Sequence, residues 1–106
     1  MRNIALVLAY DGTNYHGWQR QPEVVTVEQK VREALEKILD HETTIYAGAR
    51  TDSGVHAMGQ VINFATHKSI GLSNLWSGLN SMLPSDIRVM EACAAAEDFH
   101  ARYSAR

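Results

Sequence analysis

The segment TVEQKVREALEKIL, Thr26 to Leu39, decides the fold. Val27, Val31, Ala34, Leu35, Ile38 and Leu39 recur at helical spacing and make one apolar face. Thr26 to Gln29 has the Ser/Thr-x-x-Glu/Gln form of a capping box, which marks a helix start. Glu28 with Arg32, and Glu33 with Lys37, stand four apart and can pair on the water-facing side. A helix therefore occupies this stretch. What lies on either side of it sets the topology.

Upstream, Ile4 to Tyr10 is a continuous apolar run ended by Asp11-Gly12. Its length suits a central strand covered on both faces, and Asp-Gly is turn chemistry. Asn14 to Pro22 reads as a polar loop studded with aromatic residues. Downstream, Thr43 to Tyr46 reads as a second strand and Gly59 to Thr66, with Val61, Ile62 and Phe64, as a third. Leu72, Leu75, Trp76, Leu79, Met82 and Leu83 fit a second helix, with Ser73 as its cap and Pro84 after its end. Trp76 and Met82 fall on its apolar stripe and are expected in the core. Ile87 to Cys93 reads as a fourth strand, with Cys93 a buried strand residue. Ala94 to Arg106 is a tail without an assigned form. The order strand, helix, strand, strand, helix, strand predicts an α+β, ferredoxin-like βαββαβ fold. Such a fold is an antiparallel four-stranded sheet with two helices on one face, and the other face is left for a partner.

The bulk properties fit one domain. The chain has 106 residues, 45% of them hydrophobic, enough for a real core. One cysteine excludes an internal disulfide framework. The N-terminal apolar run is too short to span a membrane, and no small-residue cleavage site follows it. The expected location is cytoplasmic. The net charge is −2, which weighs against a simple basic nucleic-acid binder. The acidity is local, however. Residues 23–42 carry six acids and three bases, and the remainder carries six acids and seven bases.

The predicted second and third strands are joined by YAGARTDSGVHAMGQ, Tyr46 to Gln60. This elbow must sit at one end of the sheet. Asp52 is the only acid between Glu42 and Asp86, and Arg50 lies two residues before it. In extended chain, residues two apart point the same way, so the pair can converge. A guanidinium beside a carboxylate favours the ionised form, which can act as nucleophile, general base or metal ligand. Gly48 and Gly54 permit close approach of a substrate. On residue chemistry alone, a structural Arg–Asp pair bracing a turn accounts for the same pattern. Tyr10, Tyr15 and Trp18 could stack on RNA bases with Arg20 on a phosphate, or Trp18 could pack its loop onto the sheet. His56 and His100 lack a third ligand at useful spacing, so no metal site is expected. His56 reads instead as a hydrogen-bond donor that holds the elbow. Arg102 and Arg106 read equally as phosphate contacts or as solvated residues of a chain end.

The motifs narrow these alternatives. Arg50-Thr51-Asp52-Ser53-Gly54-Val55-His56-Ala57 resembles the R-T-D-x-G-V-H-A signature of the TruA family of tRNA pseudouridine synthases. Tyr10 to Gln19 resembles the family's Y-D-G-x-x-Y-x-G-W-Q, and Leu79 to Ile87 its L-N-x-x-L-P-x-D-I. Asp98 to Ala105 is similar to its D-F-H-A-R-F-S-A. The resemblance implies an isomerase that converts uridine to pseudouridine in the anticodon stem-loop of tRNA. It implies Asp52 as the catalytic carboxylate, and Arg50, Thr51, His56, Arg20, Gln19 and Arg102 as residues that bind the RNA substrate. It implies tRNA and a second copy of the protein as partners, and no metal, small-molecule cofactor or membrane. The family's chains are more than twice this long, so residues 1–106 resemble an N-terminal half without its second half. A non-catalytic RNA-binding or dimerisation module is the competing reading. A hydrolase using Asp52 and His56 rests on residue chemistry alone.

Overall fold

The computed structural model describes residues 1–11, 26–48 and 57–96. The apolar run upstream of the helix forms β1, Arg2–Tyr10, which begins two residues before the run itself. The amphipathic stretch forms α1, Val27–Leu39. Two strands follow, β2 at Tyr46–Ala47 and β3 at Ala57–Thr66, then α2 at Leu72–Met82 and β4 at Ile87–Ala95. The sheet order is β2-β3-β1-β4, and all neighbours are antiparallel. This is the ferredoxin-like arrangement. β1 lies between β3 and β4, central as expected, but Val7 and Ala9, which alternate with its core residues, are half-buried, so the strand is not fully covered on both faces.

Alternation along the strands directs one set of side chains at the helices. Ile4, Leu6, Leu8 and Tyr10 of β1 join Ile62 and Phe64 of β3 and Ile87 and Val89 of β4. Val27, Val31, Leu35 and Leu39 of α1 and Leu75 and Leu79 of α2 close over them as one cluster. Each fully buried large aliphatic residue contributes roughly 1.5–3 kcal/mol. On the other side of the sheet, Asn63 Nδ2 donates to Asn3 Oδ1 at 3.0 Å, and Asn3 Nδ2 donates to the Ala96 carbonyl at 2.8 Å.

α1 starts as expected, with the Thr26 side chain accepting from the Gln29 N–H. The Gln29 side chain donates along the helix to Glu33. Glu28 and Arg32 pair as their spacing predicts, but not in open water. Glu28 is only 7% exposed, and Arg32 Nη1 also donates to the Thr43 carbonyl. This second bond explains why β2 is short and late. The Thr43 N–H goes to Glu36 Oε2 at 2.9 Å, so both backbone groups of Thr43 are held by α1 side chains instead of a strand ladder. Strand pairing begins only at Tyr46.

α2 corrects three expectations. Its N-cap is Gly71, without a side-chain cap, and Ser73 lies inside the helix. Trp76 and Met82 are 37% and 42% exposed, outside the core. Only Leu75 and Leu79 of this helix are buried, so its apolar contact is narrower than the stripe suggested. Trp76 instead turns to the outer edge of β4, where its indole N–H donates to the Val89 carbonyl at 2.9 Å. Asn80 grips the same residue from both sides. Its Nδ2 donates to the Val89 carbonyl at 3.0 Å, and its Oδ1 accepts the Val89 N–H at 2.8 Å. Cys93 is exposed, not buried, on the same edge strand.

The end of the sheet opposite the elbow is tied by side chains. α1 ends at Asp40, in the left-handed region with φ 58°, and its N–H bonds to the Glu36 carbonyl. His41 Nδ1 donates to the Glu42 carbonyl, and its Nε2 lies 2.7 Å from Thr66 Oγ1 at the end of β3. Arg2 Nη1 donates to the carbonyls of Lys68 and Ile70, at 2.9 and 2.8 Å.

Candidate active site

The register fixes which motifs share an end. Tyr10, the last residue of β1, is paired with Ala57, the first of β3, and with Ile87, the first of β4. The Asp11 N–H donates to the Asp86 carbonyl at 2.9 Å, and the Ile87 N–H to the Pro84 carbonyl at 3.0 Å. On the other side, the Gly48 N–H bonds to the Val61 carbonyl at 3.2 Å, so the chain leaves β2 beside β3. Three motifs are therefore anchored at one end of the sheet. They are the start of the Tyr-Asp-Gly segment, both ends of the Arg-Thr-Asp elbow, and the segment from Leu79 to Ile87.

Between these anchors both ladders around β1 are irregular. The β1–β3 pairing passes from Leu8–Gln60 to Ala9–Met58 and skips Gly59. The β1–β4 pairing passes from Val7–Glu91 to Leu8–Val89 and skips Met90. An extra residue in a strand bends it and increases its twist, and such bulges gather next to active sites. A glycine suits the skipped position in β3.

Tyr10 is 5% exposed, and its hydroxyl donates to Gln60 Oε1 at 2.6 Å. Its ring faces the helices within the core cluster, which corrects the reading that it stacks on RNA. The sequence reading did not single out Gln60 or Asn80. The signal for each was an uncharged amide placed among apolar residues of a strand or helix. The two carboxylates next to the anchors, Asp11 and Asp86, are exposed and half-buried respectively.

The residues expected to do chemistry or to bind RNA, Gln19, Arg20, Arg50, Thr51, Asp52, His56 and Arg102, lie outside the described residues. So do Tyr15, Trp18, His100 and Arg106. The structure does place the attachment points of two of their segments. The elbow carrying Arg50 to His56 is attached at Gly48 and Ala57, and the segment carrying Gln19 and Arg20 runs between Asp11 and Thr26. The segment with Arg102 follows Ala96, at the other end of the sheet, where Ala95 pairs with Asn3. Among the described residues, no helix is long and apolar enough to cross a membrane.

A ferredoxin-like α+β domain with three of its motif segments attached at one end of the sheet is thus the class that fold and site define. Comparison with known proteins makes this specific. The family model described as tRNA pseudouridine synthase matches residues 6–104. The chain is 48% identical over its full length to tRNA pseudouridine synthase A of Thermoanaerobacter sp. (strain X514), covering 43% of that protein. It is 52% identical over 103 residues, 97% of the chain, to tRNA pseudouridine synthase A 2 of Clostridium perfringens (strain 13 / Type A), covering 42% of it. With tRNA pseudouridine synthase A of Geobacter sp. (strain M21) it shares 48% identity over 105 residues, again covering 42% of the relative. The chain belongs to the tRNA pseudouridine synthase family. It spans about two-fifths of the length of the curated relatives it matches.

Proposed function

We propose that the protein isomerises uridine to pseudouridine in tRNA, with Asp52 as the essential carboxylate. The observation that carries this reading is the anchoring of the Arg50-Thr51-Asp52 elbow. Both of its attachment points lie at the sheet end that also holds Tyr10, Asp11 and the Asp86–Ile87 turn. Family membership supports the same reaction.

The chemistry suits an anion at that place. The bond between uracil N1 and ribose C1′ breaks, the detached base turns, and a bond forms between C5 and C1′. The proton leaves C5, and N1 ends protonated. A carboxylate can stabilise or trap the electron-poor ribose carbon, as carboxylates do in glycoside hydrolysis. The target base must leave its stack to be reached. Arg50 pairs with Asp52 and helps hold the displaced nucleotide. Thr51, His56, Gln19, Arg20 and Arg102 contact the RNA. The substrate is the anticodon stem-loop, the working form is a homodimer, and the compartment is the cytoplasm.

The extent of the match favours a division of labour. Residues 1–106 correspond to an N-terminal half, and a second half supplies the opposite wall of the cleft. One observation keeps a second reading in play. The chain covers only 43% of the Thermoanaerobacter relative. By itself it would then be an RNA-binding or dimerisation module without turnover.

The test is release of tritium from C5 of uridine in tRNA by the intact protein carrying Asp52→Ala or Asp52→Asn. Release is expected to be abolished in both with the melting temperature unchanged. The asparagine keeps the shape but not the charge. Substantial turnover by either variant would overturn the assignment.

A further inference from the structure

α2 lacks the local devices that keep a solvent-facing helix in place. No Asp, Glu, Lys, Arg or His occurs from Ser69 to Ser85. The helix therefore has no acid in its first turn, no base in its last and no ion pair four residues apart. Its N-cap, Gly71, supplies no side-chain acceptor. Gly78 stands in its interior, where a Cβ would lie 3.2 Å from Ile38 Cδ1 of α1. Its near side buries only Leu75 and Leu79. α1 differs at each point: Thr26 caps it, and Glu28, Lys30, Arg32, Glu33, Glu36 and Lys37 stand along it. Helices in proteins owe most of their stability to packing, and the packing beneath α2 is narrow.

The outward side of α2 is prepared to lose its water. Ser73, Asn74, Trp76, Ser77, Ser81 and Met82 are exposed. Trp76 turns to β4, and Met82 lines a groove with Lys30, Ala34 and Pro84, so the two large side chains bracket the face. Much of the polar capacity is already used inside the molecule. The Trp76 N–H and both ends of the Asn80 amide are bonded to Val89, and the Ser81 hydroxyl donates to the Gly78 carbonyl at 2.8 Å. Unmet polar groups are what make burial of such a surface costly, and here they are few. A face without charge that exposes Trp and Met has the composition of the centre of a protein–protein contact.

Charge selects what covers it. RNA is gripped through basic side chains, which this face lacks. A charged protein surface finds no complement on it. A copy of the same face does. In a two-fold contact each surface meets itself, so a charge near the axis would meet its own like. α2 brings none.

We propose that the outward face of α2 is where two copies of the protein meet about a two-fold axis, with Ser77 near that axis. The inference rests on the proposed homodimer and assigns its contact.

The experiment is sedimentation equilibrium on the intact protein, with wild type beside Ser77→Glu, Ser77→Lys and an equimolar mixture of the two variants. Ser77 is exposed, so each variant should keep the wild-type far-ultraviolet circular dichroism. Wild type should be dimeric. Each variant alone should dissociate, with Kd raised at least about a hundredfold by like charges brought together. The mixture should regain dimers, because glutamate then faces lysine. A dimer that persists in either variant alone would place the contact elsewhere and overturn the proposal. So would a mixture that stays monomeric, by showing that the face meets a different surface. Loss of the circular dichroism signal in place of dissociation would overturn it too, by showing that the face is buried within one copy. A monomeric wild type would sink the homodimer reading itself, whereas dimeric wild type with dimeric variants sinks only the assignment to α2.

Discussion

The two ends of the sheet are built on different plans. At the end away from the elbow, the α1–β2 and β3–α2 connections are fastened by side chains to backbone groups. His41 lies within bonding distance of Thr66, Glu36 and Arg32 hold both sides of Thr43, and Arg2 grips the carbonyls of Lys68 and Ile70. At the motif end, backbone bonds between segments, Asp11 to Asp86, Gly48 to Val61 and Ile87 to Pro84, stand beside side-chain bonds from Tyr10 to Gln60 and from Asn80 and Trp76 to Val89. The connections there are also longer, running from Asp11 to Thr26 and from Gly48 to Ala57. A fold of this kind can concentrate stability at one end and leave the other to chemistry, since function resides on loops carried by a rigid scaffold. The side chains described at the first end are occupied in closing the fold.

The sharpest way to break this comparison is at Asp52. Its replacement by alanine should lower turnover on the order of 10³-fold or more, the scale of essential catalytic groups, while thermal unfolding stays where it was. A large fall in melting temperature would show that the motif end also holds the fold together. The converse test is Arg2→Ala. It removes two charge-assisted bonds to carbonyls and should destabilise the protein by about 2 kcal/mol. In the folded protein turnover should be unchanged, as urea unfolding and tritium release on one sample would reveal. A drop in kcat there would mean that the ends are coupled.

How much of this was legible in the sequence depends on what fixes each element. α1 was readable because its face is set by local spacing: every residue expected on it is buried or packed against the core, Ile38 partly so. Element order was readable for the same reason, and with it the antiparallel fold. β2 was expected to start three residues early and to end one early because Thr43 is claimed by α1 side chains, a tertiary choice that a strand propensity does not contain. Trp76, Met82 and Cys93 were expected inside because they are apolar. Their exposure follows from the narrow contact of α2 and the edge position of β4. The residues of the candidate site were legible as motifs, and the structure adds where their segments are attached. Tyr10 shows the difference. Its place in a motif suggested contact with RNA, whereas its burial and its bond to Gln60 make it part of the support.

Two smaller effects sharpen the comparison further. Thr26→Ala removes the side-chain acceptor at the start of α1, next to the segment that carries Gln19 and Arg20. The expected cost is about 1 kcal/mol with kcat unaltered, read by chemical denaturation and tRNA assay. A larger kinetic than thermodynamic effect would assign the cap to the motif end. Asp40→Gly should do the opposite at the far end. Asp40 is in the left-handed region at a helix C-terminus, where glycine fits without strain and an acidic side chain opposes the helix dipole. A gain of about 0.5 kcal/mol is expected in urea melts, and a loss would indicate that the Asp40 side chain has a role of its own.

Val89 has a further consequence. The outer rim of β4 is where a foreign strand would zip on, since an exposed rim offers unmet donors and acceptors. Asn80 occupies one such rung with a donor and an acceptor of its own, an imitation of the peptide group that an incoming strand would bring. The molecule thus carries a one-residue counterfeit of a fifth strand, locked in place by the helix that bears it and backed by the Trp76 indole. The guard sits at one rung of a strand that also carries the exposed charges Arg88 and Glu91, so amide mimicry and charge protect the same rim.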